Sequence, residues 1–101
     1  MDRKVLEDML SQGQDNAMLR YTLGTLCLKE GLLESAVEHL EQALQQNDKH
    51  SASWKAYGKA LVAAKQNDAA RQAYEKGIVV AESLGDIQAA KEMKVFLRRL
   101  T

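Results

Sequence analysis

Two stretches of this chain, RYTLGTLCLKEG and WKAYGKALVAAK, each hold a glycine inside what otherwise reads as helix. The glycines are Gly24 and Gly58, separated by 34 residues. Glycine in a helix interior costs roughly 0.5–1 kcal/mol relative to alanine, so two of them at a fixed interval call for a packing reason. Sliding the chain along itself by that interval sets Gly24 on Gly58, Ala36 on Ala70, Leu40 on Tyr74, Ala43 on Gly77 and Leu44 on Ile78. Arg20 meets Trp54, Leu23 meets Tyr57 and Cys27 meets Leu61. Small residues fall on small ones and bulky residues on bulky ones, as an internal structural repeat requires.

Apolar residues recur at helical spacing almost throughout, which predicts six helices with short links and no strand. Val5, Leu6, Met9 and Leu10 share a face of a first helix that SQGQDN ends. Asp15 or Asn16 can cap a second helix running to about Lys29, where Glu30 and Gly31 break it. Ala36, Val37, Leu40, Ala43 and Leu44 line a third, closed by QQNDKHS. A fourth spans about Ser51 to Lys65 with Ser51 or Ser53 as its cap. Asn67 and Asp68 open a fifth carrying Ala70, Tyr74, Gly77, Ile78 and Ala81. Gly85 stops it, Asp86 caps a sixth, and Ile87, Ala90, Met93, Leu97 and Leu100 make that helix amphipathic. The absence of proline and the 46% hydrophobic content suit an all-α domain with a core.

The second copy reads Trp54-x2-Tyr57-Gly58-x2-Leu61 followed by Ala70-x3-Tyr74; the first reads Arg20-x2-Leu23-Gly24-x2-Cys27 followed by Ala36-x3-Leu40. This resembles the tetratricopeptide repeat, whose signature is W-x2-L-G-x2-Y, then A-x3-F, then P. The resemblance covers Ala17 to Leu84. Arg20 departs from the pattern's aromatic, Cys27 and Leu61 from its tyrosine, and Asp48 and Glu82 from its proline. It implies antiparallel helical hairpins stacked as a short right-handed solenoid. The expected division is a flanking helix over 1–14, repeats over 17–50 and 51–84, and a capping helix over 85–101, together one domain. In such a repeat the two helices cross closely, so Gly24 is expected to face the helix carrying Ala36, and Gly58 the one carrying Ala70.

Catalytic chemistry finds no foothold. Fourteen basic and fourteen acidic side chains cancel, which removes the long-range attraction of a dedicated nucleic-acid binder. Lys91, Lys94, Arg98 and Arg99 could touch phosphates, yet Phe96 is their sole aromatic neighbour in sequence, and cations suit a helix C-terminus. No nucleic-acid partner is expected. Cys27 cannot form an internal disulfide, and at a core position of the repeat it reads as a small buried hydrophobe. His39 is expected on the solvent side between Glu38 and Glu41 and His50 in a turn, a pattern that holds no metal. No H-E-x-x-H, P-loop or G-x-S-x-G occurs and no nucleophile has a base beside it. A non-enzymatic protein without cofactors is expected. The N-terminal MDRKVLEDMLSQG has no apolar run of signal-peptide or membrane-spanning length, so no membrane partner and a cytoplasmic location are the default.

What the resemblance implies about use is a scaffold whose first helices line a concave groove for a peptide or partner helix. The corresponding positions are Met18, Tyr21, Thr25, Leu28 and Lys29 in the first copy, and Ala52, Lys55, Lys59, Val62 and Ala63 in the second. Of these, Tyr21, Thr25, Leu28, Lys29, Lys55, Lys59 and Val62 are the expected contacts. Lys55 and Lys59, four apart, project from one face. The ligand implied is a protein segment with one or two carboxylates and an apolar anchor. Some family members clamp a C-terminal carboxylate, but Tyr21, Thr25 and Ala56 stand where that clamp needs lysine, asparagine and asparagine. The rival expectation is a symmetric homodimer through end helices carrying Met9, Leu10, Met93, Phe96 and Leu100.

Overall fold

A computed structural model describes residues 2–100. Within them the chain forms six helices and no strand: α1 (Arg3–Ser11), α2 (Ala17–Lys29), α3 (Leu33–Gln46), α4 (Ser51–Ala63), α5 (Asn67–Ser83) and α6 (Ile87–Arg99). The all-α expectation holds.

Local chemistry sets several boundaries. Asp2 Oδ1 accepts from the Val5 amide at 3.0 Å, Asn16 Oδ1 from Leu19 at 2.9 Å and Asp86 Oδ1 from Ala89 at 3.2 Å, so each satisfies an amide that has no intrahelical partner. Asn16 is thus the cap of α2, and Asp15 is left to take both Nε and Nη2 of Arg20 at 2.9 Å. The serine caps expected for α4 do not form. His50 occupies that cap position with no side-chain bond to a helix amide; Ser51 Oγ donates instead to Asp86 Oδ2 at 2.6 Å, and Ser53 Oγ pairs with His50 Nδ1 at 2.6 Å.

The turns inside the two hairpins are built alike. The Leu32 amide donates to the Cys27 carbonyl at 2.8 Å, and 34 residues on the Gln66 amide donates to the Leu61 carbonyl at 2.8 Å. Each bond belongs to a helix-ending turn that needs a left-handed residue just before the donor. Gly31 supplies it at φ +79°, whereas Lys65 supplies it in the second hairpin at φ +62°. That conformation ends α4 at Ala63 rather than carrying it to Lys65.

Each helix packs on the next, and α2 meets α4 and α4 meets α6 along one side of the stack. Cys27, Ala36, Leu40, Ala56 and Ala60 form the core between α2, α3 and α4. Tyr74, Ala81, Ala89, Ala90 and Met93 form that between α5 and α6. Leu6 seats α1 on Leu19 and Leu23, with Met9 and Leu10 beside it. A β-carbon on Gly24 would lie 2.5 Å from Leu40 Cγ, and one on Gly58 would lie 2.6 Å from Tyr74 Cδ1. The glycines therefore face the expected helices, at the residue four beyond each alanine.

Several side chains depart from their expected places. Val5 and Ile87 are 47% and 65% exposed, so the inner faces of α1 and α6 are narrower than their periodicity implied. His39 is half-buried rather than on the solvent side, with Nδ1 3.2 Å from Arg20 Nη1. Burial, then the Arg20 charge, depresses its pKa below the usual histidine value. Arg20 also explains the missing aromatic of the first repeat. It ties the start of α2 to Asp15, as the Trp54 indole ties α4 to the Asp48 carbonyl at 2.8 Å.

Candidate functional site

Along α4, Lys55, Lys59, Val62 and Ala63 follow one another at helical spacing. α6 lies beside them because Gly77 on α5 leaves room between Trp54 and Met93; a β-carbon there would come within 2.6 Å of Trp54 Cβ and Met93 Sδ. Lys55 Nζ donates to both Glu92 carboxylate oxygens at 3.3 Å, so its charge is answered within the molecule. One turn along, Lys59 Nζ sits 5.1 Å from the Phe96 ring centroid, and the Arg99 guanidinium carbon lies 5.9 Å from the same ring. Cations near an aromatic ring are drawn to its π-electron density without being neutralised by it. Among the described residues, neither Lys59 nor Arg99 has a carboxylate within ion-pair distance.

These groups surround a cavity of about 280 Å³, walled by Lys59, Val62 and Ala63 on one side and by Phe96, Arg99 and Leu100 on the other. Tyr74, 1% exposed, contributes to its lining, and its ring centroid stands 5.7 Å from that of Phe96. Burial pushes the Tyr74 hydroxyl up to about 12, so it stays a neutral phenol at physiological pH. Ligand cavities for whole small molecules run from about 300 Å³ upward; this one suits one or two side chains.

The α2 positions lie apart from this cavity. Tyr21 is half-buried against the Cys27 and Leu40 cluster, edge-on to the His50 ring at 4.9 Å. Thr25 Oγ1 donates to the Thr22 carbonyl at 2.9 Å, Leu28 packs on the same cluster, and Lys29 is exposed in the last turn. Phe96 and Arg99 line this cavity, whereas the sequence points to α6 as a cap and to groove positions on α2 and α4 alone. Their i,i+3 spacing on an amphipathic helix was the available signal.

A second cleft lies between α3 and α5, where Trp54 and Asp48 line adjoining cavities of about 450 and 370 Å³. Its charges, Glu41, Asp48 and Glu75 with Lys49 and Lys76, are of both signs. Elsewhere, Cys27 is fully buried and burial raises its thiol pKa, which suppresses the reactive thiolate. Among the described residues no group of three or more His, Cys, Asp or Glu is placed to hold a metal, and no helix is long and apolar enough to cross a membrane.

A family model described as Tetratricopeptide repeat matches residues 28–91. The chain belongs to the tetratricopeptide repeat family. It is 52% identical over 95 residues to the TPR repeat-containing protein PA0015 of Pseudomonas aeruginosa, a match covering 94% of this chain and 90% of that protein. It also superposes on the solution structure of protein BPP2914 from Bordetella parapertussis with a TM-score of 0.85 and 43% identity, covering 99% of this chain and 87% of that one. Tetratricopeptide repeat proteins are generally non-enzymatic interaction modules, and their repeat domains typically bind proteins or peptides.

Proposed function

We propose that this tetratricopeptide repeat chain is a non-enzymatic adaptor. It holds a segment of a partner protein along the side formed by α2, α4 and α6, with 17–50 and 51–84 acting as its two repeats. The anchoring point is the cavity between α4 and α6, where Lys59 and Arg99 receive a carboxylate and Val62, Phe96 and Leu100 receive an adjacent apolar side chain. Tyr21, Thr25, Leu28 and Lys29 extend the contact along α2. Lys55 holds α6 in place through Glu92 and contacts the ligand less directly. The observation that carries this reading is the pair of open cations beside the Phe96 ring. Charges left unpaired around an apolar hollow give a partner both electrostatic direction and an apolar anchor.

Affinity capture from the native lysate tests it, using wild type and Lys59→Glu/Arg99→Glu after circular dichroism has shown equal folding. A partner held by wild type should be lost from the double variant. Capture of the same partners by both proteins would overturn the assignment of the cavity.

A further inference from the structure

The net charge of zero hides a division along the chain. Residues 1–50 hold nine carboxylates and five basic side chains, and residues 51–101 hold five and nine, so the halves carry −4 and +4. The helices follow one another through the stack, so the two charges lie toward its opposite ends.

The division is sharpest on α3 and α6. α3 has no lysine or arginine, and Glu34, Glu38 and Glu41 stand exposed along it at spacings of four and three. Glu41 accepts from the Tyr57 hydroxyl at 3.2 Å; Glu34 and Glu38 are in no ion pair among the described residues. On α6, Lys91, Lys94, Arg98 and Arg99 are exposed, whereas the single carboxylate of that helix, Glu92, is turned onto Lys55. Lys94 reaches Glu82 of α5, but α3 and α6 make no contact within one molecule. Two exposed apolar residues, Ile87 and Val95, are interleaved with the α6 cations, and Leu32, 39% exposed, stands at the start of α3.

We propose that the basic face of α6 docks on the acidic face of α3 in a second copy of this chain, joining molecules head to tail. Charge complementarity selects this occupant. A symmetric α6-to-α6 pairing would set four cations against four, and like-charge juxtaposition opposes association. The α6-to-α3 pairing matches rows of opposite sign at the same helical spacing, on helices of 13 and 14 residues. Each molecule then offers one donor face and one acceptor face, a heterologous contact that continues to further copies. Arg99 borders both this face and the Lys59 cavity, but Lys91, Lys94, Glu34 and Glu38, where the test substitutions fall, lie outside the cavity, so the two proposals fail independently.

Sedimentation of the full chain tests the proposal at about 0.01 M and about 1 M salt, where screening lengths are about 30 Å and about 3 Å. The expected low-salt result is a mean mass that exceeds one chain, keeps rising past two with protein concentration, and returns to one chain at high salt. Lys91→Glu/Lys94→Glu and Glu34→Lys/Glu38→Lys change exposed side chains and should keep the fold, checked by circular dichroism. Each alone should associate at least roughly tenfold more weakly, and a one-to-one mixture should regain association. A monomer at every low-salt concentration, growth that stops at two copies, or a mixture that stays monomeric would overturn it.

Discussion

Gly58 lies against the ring of Tyr74 so closely that a β-carbon at position 58 would come within 2.6 Å of both Cδ1 and Cζ. Gly24 stands in the same relation to Leu40, sixteen residues on in each case. The two contacts differ in what can yield. The Tyr74 ring is a rigid plate, buried and backed by Phe96 5.7 Å away, whereas Leu40 can change rotamer. Gly58→Ala should therefore lower stability, since overpacking typically costs about 1–3 kcal/mol and the gain in helix propensity is about 1 kcal/mol. Gly24→Ala should lower it less. Urea denaturation of both variants checks this; a Gly58→Ala midpoint at or above wild type would remove the close-approach account.

Lys65 holds the left-handed conformation that Gly31 holds one repeat earlier. A side chain there is strained, although the turn's 2.8 Å bond from Gln66 to Leu61 is made. Lys65→Gly should raise stability by about 0.5–1 kcal/mol, the relief at a helix-ending turn exceeding the added freedom of the unfolded chain. Thermal unfolding reads the change, and a lower melting temperature would contradict it.

Asp15 accepts from Arg20 and from Gln46 Nε2, and these bonds, Arg20 first, hold its carboxyl down to about 2 from an ordinary 3.8. A carboxylate whose folded value lies below its unfolded one stabilises the fold above the unfolded value and loses that contribution as pH falls through the folded one. The stability difference between wild type and Asp15→Asn should therefore be constant above pH 3.8 and shrink as pH falls toward about 2. Denaturation midpoints of both proteins across that window give the test. A difference that does not change with pH would show that the carboxylate charge plays no part.

Much of the fold was legible because a 34-residue interval repeats a steric demand: Gly24 with Leu40 and Gly58 with Tyr74 are the same helix crossing. Other features were not legible because they depend on which partners arrive from distant helices. Ser51 resembles a helix cap until Asp86, 35 residues away, claims its hydroxyl. Lys55 and Lys59 look equivalent in sequence, yet Glu92 engages one and Phe96 sits beside the other. Val5 and Ile87 fit the apolar period, but the neighbouring helices do not reach far enough to cover them. Period predicts which face turns inward; it does not give the width of the surface that meets it.

The cavity between Lys59, Phe96 and Arg99 is the centre of the functional account, and amide chemical-shift mapping with peptides selected by display against the folded chain tests it most directly. The selected peptides should place an acidic residue beside a bulky apolar one. Their shifts should cluster at Lys59, Val62, Phe96 and Arg99, and binding should disappear in Lys59→Glu/Arg99→Glu. Peptides whose shifts cluster instead around Trp54 and Val79, or whose binding survives the double variant, would contradict it.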